Sequence, residues 1–281
     1  MYFDAHNHLQ DDRFGGAQEA LLDAAVHAGV SRMVVNGACE EDWPAVLELG
    51  RGSPVVMPSF GLHPWYVHNR SPNWLSHLCQ HLEACPSAVG EIGLDRWMLE
   101  RPPPWLAANG HSATAMPASL AEQEEVFVVQ LRIAVEREVP VSIHCIQAWG
   151  RLHELLRAEL RPARGFLLHS YGGPVEMIPT LAKLGAYFSY PGYFAHERKH
   201  RQRETFRHVP ADRLLVETDA PDQLPPDAVN RYPLFDGQTG KPINHPANLP
   251  AIYAWLADFL GEGEELLRAR VAENFQRLFG R

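Results

Sequence analysis

Eight short apolar segments recur along the chain, most of them followed by a run with helical periodicity, and this alternation constrains the fold more than any other feature. The segments are Tyr2 to His6, Arg32 to Ala38, Val55 to Leu62, Ala88 to Leu94, Pro140 to His144, Gly165 to His169, Ala186 to Tyr190 and Arg213 to Asp219. Stretches such as Val141-Ser-Ile143 and Gly165-Phe-Leu-Leu168 have the near-continuous apolarity of parallel strands covered on both faces. Between the segments, Leu152, Leu155, Leu156 and Leu160 fall at helical spacing, as do Phe127, Leu131, Ala134 and Val135. Ser119-Leu-Ala-Glu122 predicts a capping box at the start of that second helix. Two closing helices are marked by Ile252, Trp255, Leu256 and Phe259, and by Val271, Phe275, Leu278 and Phe279. Strands alternating with helices imply right-handed crossovers and a parallel sheet. Eight such units predict a single α/β domain over 1–281, a (β/α)8 TIM barrel.

Two stretches break the rhythm: 96–118, a Pro-rich run carrying Trp97 and Trp105, and 221–250, rich in Pro, Asp and Asn. Both follow strands, so both are expected on the C-terminal rim, where barrels of this kind carry their active sites. The formal net charge of −9 argues against broad phosphate neutralisation of duplex DNA. Any nucleic-acid chemistry must then rest on a local site, with metal ions supplying positive charge. Cys39, Cys79, Cys85 and Cys145 show no C-x-x-C spacing and are expected to be reduced thiols in a cytoplasmic protein. The N-terminal residues have neither a basic nor an apolar leader region, and no apolar run approaches membrane-span length, so no signal peptide and no membrane partner are expected.

The polar residues at the strand ends carry the chemistry. In an extended strand alternate side chains share a face, so His6 and His8 can reach one ion. Glu91 lies within the fourth segment, while His144, His169 and Asp219 end the fifth, sixth and eighth. A lone histidine at a strand end is commonly a satisfied core residue, and Asp219 could simply cap a turn. Six metal-ligand side chains at the same end of different strands are harder to obtain by packing alone. Burying an ionised carboxylate in such a strand costs several kcal/mol unless a cation or a hydrogen-bond network offsets it. Two carboxylates and four imidazoles match two metal ions with one carboxylate bridging.

These residues sit in motifs that resemble the TatD family of metal-dependent hydrolases and deoxyribonucleases, within the amidohydrolase-like barrels. The matching pieces are Asp4-Ala-His6-Asn-His8-Leu9, Gly61-Leu-His63-Pro64, Gly90-Glu91-Ile-Gly-Leu-Asp95, Pro140-Val-Ser-Ile-His144, Leu168-His169-Ser-Tyr-Gly-Gly173, Glu217-Thr-Asp219-Ala-Pro221 and Asn274-Phe-Gln-Arg-Leu-Phe279. Gln123, Phe127, Gln130 and Leu131 also match that family's long helix. The resemblance implies that His6, His8 and Asp219 hold one metal, that His144 and His169 hold the other, and that Glu91 bridges them. Two divalent ions (Mg, Mn or Zn) about 3.5–4 Å apart would then lower the pKa of a bridging water and make hydroxide available. Asp219 would orient that water or take its proton, and His63 would either touch the phosphate or leaving group or serve as a structural histidine in the turn before Pro64. Glu217, sharing a strand face with Asp219, would orient a ligand.

The expected activity is a 3′ to 5′ deoxyribonuclease on single-stranded DNA, acting as a monomer. Alternatives are a hydrolase of small amides, esters or lactones on the same barrel, and a silent metal-binding scaffold. One departure bears on substrate: the family usually has Arg two residues after the fifth-strand histidine, and this chain has Ile146. The basic run His196-Glu-Arg198-Lys199-His200-Arg201-Gln-Arg203 reads either as a phosphate-steering surface or as a solvated helix face.

Overall fold

In the computed structural model, which describes residues 1–101 and 116–280, the eight apolar segments form eight parallel strands. They are β1 (Tyr2–Asn7), β2 (Val30–Asn36), β3 (Val56–Phe60), β4 (Ala88–Asp95), β5 (Val141–Ile146), β6 (Phe166–Leu168), β7 (Ala186–Pro191) and β8 (Leu214–Glu217). Each strand pairs with the next in sequence order from β1 to β8. The seam between β8 and β1 is closed by a mixture of backbone and side-chain bonds. Asp219 N donates to His6 O at 2.9 Å, and His8 N donates to Ala220 O at 2.8 Å. The Asp4 carboxylate accepts from Thr218 N at 3.0 Å and from the Thr218 hydroxyl at 2.6 Å. The result is the predicted (β/α)8 barrel.

The strands are buried on both faces, as their apolarity requires: every residue of β3, β4, β7 and β8 is buried. Small polar side chains that the apolar pattern hides, Ser59, Ser142 and Ser189, are fully enclosed. Helices at Gln18–His27, Trp43–Gly52, Trp74–Ala84, Leu120–Glu136, Trp149–Ala158 and Ile178–Lys183 connect successive strands, and the chain closes with Leu249–Leu260 and Glu264–Phe279. The capping box is present, with Ser119 accepting from Glu122 N and the Glu122 carboxylate accepting from Ser119 N. Leu160 departs from expectation. The helix stops at Ala158, and Leu160 is 76% exposed rather than part of the apolar stripe. The 221–250 stretch contains a short antiparallel pair, Leu234–Phe235 with Pro242–Ile243, that the sequence pattern does not reveal. Trp105 lies outside the described residues. No helix among the described residues is long and apolar enough to cross a membrane.

Candidate metal centre

Glu91 is the hub. It sits within β4, is 2% exposed, and directs its two carboxylate oxygens to different sets of imidazoles. Oε2 lies 3.2 Å from His8 Nε2 and 3.3 Å from His6 Nε2. Oε1 lies 2.9 Å from His169 Nε2, 3.0 Å from His144 Nδ1 and 3.3 Å from His63 Nε2. Asp219 Oδ1 joins the first set, 3.5 Å from His8 Nε2 and 3.6 Å from His6 Nε2. Two close approaches of backbone hold this hub in place. A Cβ on Gly61 would fall 2.7 Å from the Glu91 carbonyl oxygen, and one on Gly93 would fall 2.0 Å from the His144 carbonyl oxygen.

Hydrogen bonds on the far side of each ring decide what its inward nitrogen offers. His8 Nδ1 faces the Asn36 carbonyl at 2.8 Å, which can only accept, so Nδ1 carries the proton and Nε2 of the neutral ring presents a lone pair. His144 Nε2 faces Asp95 Oδ2 at 3.0 Å, which likewise leaves Nδ1 bare. His6 Nδ1 meets the Ser142 hydroxyl at 2.8 Å. The inward nitrogens then crowd one another, His6 Nε2 and His8 Nε2 at 3.2 Å and His144 Nδ1 and His169 Nε2 also at 3.2 Å. Nitrogens and carboxylate oxygens this close to one another need protons or a cation between them.

Protons can supply part of that charge. Burial pushes His8 and His169 down, but contacts with Glu91, Asp219 and Glu217 outweigh it and hold both rings well above the ordinary imidazole range. Burial likewise raises Glu91, yet His169, His63 and His6 keep it well below the usual carboxylate range. The buried Asp219 Oδ1 meets no donor at hydrogen-bond distance, with His8 Nε2 at 3.5 Å and His6 Nε2 at 3.6 Å. A cation among His6, His8, Glu91 and Asp219 would satisfy it, and the imidazole and carboxylate donor set fits a divalent ion.

His63 is different. Its Nδ1 accepts from Trp65 N at 3.1 Å, so in the neutral ring the proton sits on Nε2 and points at Glu91 Oε1. Holding a cation through Nε2 would force a proton onto Nδ1, against the Trp65 N–H. His63, though within reach of Glu91 and His144, is therefore a donor rather than a ligand. Burial pushes its pKa down to about 4 despite Glu91, so at neutral pH it is an uncharged N–H donor.

The supporting ring contains residues that the sequence reading missed or misplaced. Asp95, quoted only as part of a motif, accepts from His144, from Trp65 Nε1 at 2.6 Å and from Met98 N at 2.9 Å. The buried amide of Gln123 clasps the Asp95 backbone at both N and O, and that of Gln130 clasps Leu62 in the same way, next to His63. Gln223 donates to Asp219 Oδ2 at 2.9 Å. Asp219 itself is not in β8: it lies two residues beyond the strand with φ +53, so strand alternation does not relate it to Glu217. The Glu217 carboxylate instead accepts from the hydroxyls of Ser170 and Ser189 and lies 3.7 Å from His169 Nδ1. It stands beside His169, not Asp219. Ile146 ends β5 beside Asp95 and is partly exposed, adding no charge to the mouth.

Comparisons with known proteins give the family. A family model described as TatD related DNase matches residues 3–280. The 3′-5′ ssDNA/RNA exonuclease TatD of Escherichia fergusonii is 31% identical over 287 residues, covering 99% of this chain and 98% of that protein. The protein of the same name from Escherichia coli K12 is also 31% identical over the same shares. The crystal structure of a TatD homologue from Escherichia coli K12 superposes with a TM-score of 0.82 at 27% identity, covering 100% of this chain and 98% of that one. A TatD family hydrolase from Entamoeba histolytica, at 16% identity and a TM-score of 0.80, shares the fold. With a match from end to end and the motif residues gathered at one mouth of the barrel, this chain belongs to the TatD related DNase family.

Proposed function

We propose that this protein is a divalent-metal-dependent exonuclease that shortens single-stranded nucleic acid from its 3′ end. The observation that carries the reading is the convergence of four imidazole nitrogens and the Asp219 carboxylate on Glu91. His6, His8, Asp219 Oδ1 and Glu91 Oε2 would hold one ion; His144, His169 and Glu91 Oε1 would hold the second. Imidazole-rich sets favour Zn or Mn over Mg, and metal analysis of the purified protein identifies the ion. When bound, the ions supply charge for the phosphoryl oxygens and an acidified water. All the proposed liganding groups come from one chain, so a single copy of the domain 1–281 suffices to form the site.

The chain's own residues then divide the proton work. Asp219, which would hold the first ion through Oδ1, orients the attacking water or takes its proton. Gln223 holds the other Asp219 oxygen so that Oδ1 keeps its aim. His63 hydrogen-bonds through its Nε2–H to the leaving oxygen or to a phosphoryl oxygen without giving up the proton, and the Trp65 N–H keeps that proton on Nε2. Asp95 fixes the ring of His144, and the Glu217 carboxylate offers negative charge 3.7 Å from His169 Nδ1. Incubating a 5′-labelled oligodeoxynucleotide with Mg, Mn or Zn should give a ladder of products shortened from the 3′ end. No shortening with any metal, together with turnover of esters or lactones, would replace the nuclease reading with that of a small-molecule hydrolase.

A further inference from the structure

The basic run after β7 is fixed on the same rim as the metal centre. All eight strands run in parallel, so residues following the C-terminal end of β7 emerge on the side of His8, Asp95, His144, His169 and Asp219. Two contacts pin the run between neighbouring loops. His196 Nε2 donates to Leu224 O at 3.1 Å, five residues past Asp219. Gln202 Cγ lies 4.0 Å from where a Cβ on Gly172 would stand, three residues past His169.

Its charge is opposite to that of the molecule. Residues 196–208 carry five Arg or Lys against two Glu, in a chain of net charge −9. The two glutamates pair with Arg203 and Arg207. Among the described residues, Arg198, Lys199 and Arg201 have no carboxylate within ion-pair distance, and Arg198 and Arg201 are exposed. Nor are the first two loose. The Arg198 guanidinium and the Lys199 ammonium both stand over the Tyr193 ring, at 5.2 and 4.9 Å from its centre, and Arg198 also donates to the Tyr193 hydroxyl at 3.0 Å. Holding two like charges on one ring, without an acid to neutralise them, keeps an uncompensated positive field at the rim.

We infer that Arg198, Lys199 and Arg201 form an outlying site for the phosphodiester backbone of a single strand whose end lies in the metal centre. The inference rests on the proposed nuclease activity and deepens it. The enzyme then acts on long strands through two separate contacts: one at the reacting phosphate, and one farther along the strand, beyond a dinucleotide. Such contacts add affinity through counterion release and carry no base information.

The test compares an oligodeoxynucleotide of about 15 residues with a dinucleotide, using wild type and the triple variant Arg198→Gln/Lys199→Gln/Arg201→Gln. The KM for the longer strand should rise ~10-fold at low salt, and the salt slope of log KM should fall by about 2, close to 0.7 per lost phosphate contact. Its kcat, and both constants for the dinucleotide, should stay within about 2-fold of wild type, which also shows that the variant is folded. A matched set of neutralised charges at the opposite barrel end uses Arg164, Lys183 and Arg268, the last donating to the Met1 carbonyl. It should leave the long-strand KM unchanged. Equal KM shifts for long and short substrates, equal shifts for both variant sets, or no shift at all would overturn the outlying site. Failure of wild type to shorten any strand would instead overturn the nuclease reading beneath it.

Discussion

His63 and His245 are built alike and do different things. Each precedes a proline, and in each the ring Nδ1 accepts the N–H of the residue after that proline, Trp65 at 3.1 Å and Ala247 at 2.9 Å. Proline has no N–H of its own, so that next amide is the first one the ring can accept from. Burial lowers both to about 4, leaving neutral rings with the proton on Nε2. From there they diverge. His63 aims Nε2 at Glu91 Oε1 and stands edge-on to His144, with ring centres 4.4 Å apart. His245 lies beside Tyr232 and caps the turn that opens the Leu249–Leu260 helix. A two-residue motif thus sets the tautomer, and only the surrounding barrel decides whether the proton is used.

The largest effect should come from removing what His63 faces. Glu91→Ala takes away the carboxylate that both sets of imidazoles share, and kcat should fall by at least ~10²-fold with loss of bound metal. Unchanged turnover would mean that Glu91 is not the hub and that the scaffold is silent. Next, His63→Ala should lower kcat by ~10²-fold while the metal content per chain stays at the wild-type value, because His63 is a donor and not a ligand. Its twin gives the contrast: His245→Ala should leave kcat within about 3-fold and cost ~1 kcal/mol of stability through the lost cap. Loss of metal from His63→Ala would erase the distinction between donor and ligand. Smaller again, Asp95→Asn should weaken metal binding by ~10–100-fold, since the carboxylate holds the ring of His144. Titration with Mn or Zn under chelator competition reads that shift.

Much of this was legible in the chain itself, for identifiable reasons. The eight strands declared themselves because strands covered on both faces must be apolar, and the ligands because a histidine or carboxylate inside such a run needs a partner. The same signal was present for Asp95, a carboxylate ending the apolar run of β4, but without coordinates nothing separated a ring-holding acid from a turn cap. Ser142 and Ser189 left no mark, because a serine in an apolar strand is commonplace and only the fold brings one to His6 and the other to Glu217. The orientation of Glu217 was misjudged for a definite cause. Alternation holds within extended backbone, and Asp219 has already left it with a positive φ. Leu160 was misplaced because periodicity continued past the end of hydrogen bonding, where only Glu159 N still reaches back to Leu155 O.

The smallest expected effect isolates the twin that does no chemistry. Folded His245 binds its proton only below about pH 4, whereas the unfolded chain binds it below its ordinary value of 6.5. Between those values the unfolded state holds more protons, so stability rises with pH across the window, is complete above 6.5, and is lost as pH falls toward 4. His245→Asn removes the titration yet keeps a side-chain oxygen able to accept the Ala247 N–H, so the cap survives. In the presence of chelator, urea unfolding of wild type should lose about 1–2 kcal/mol more than the variant between pH 7 and pH 4, after discounting for solvent screening. His63 carries the same sign, but its ring touches Glu91 and His144, so its own titration cannot be varied without theirs. If His245→Asn follows the wild-type pH profile, burial does not govern the protonation of the His-Pro ring at this site. The shared tautomer of the two histidines would then rest on the Nδ1 hydrogen bond alone.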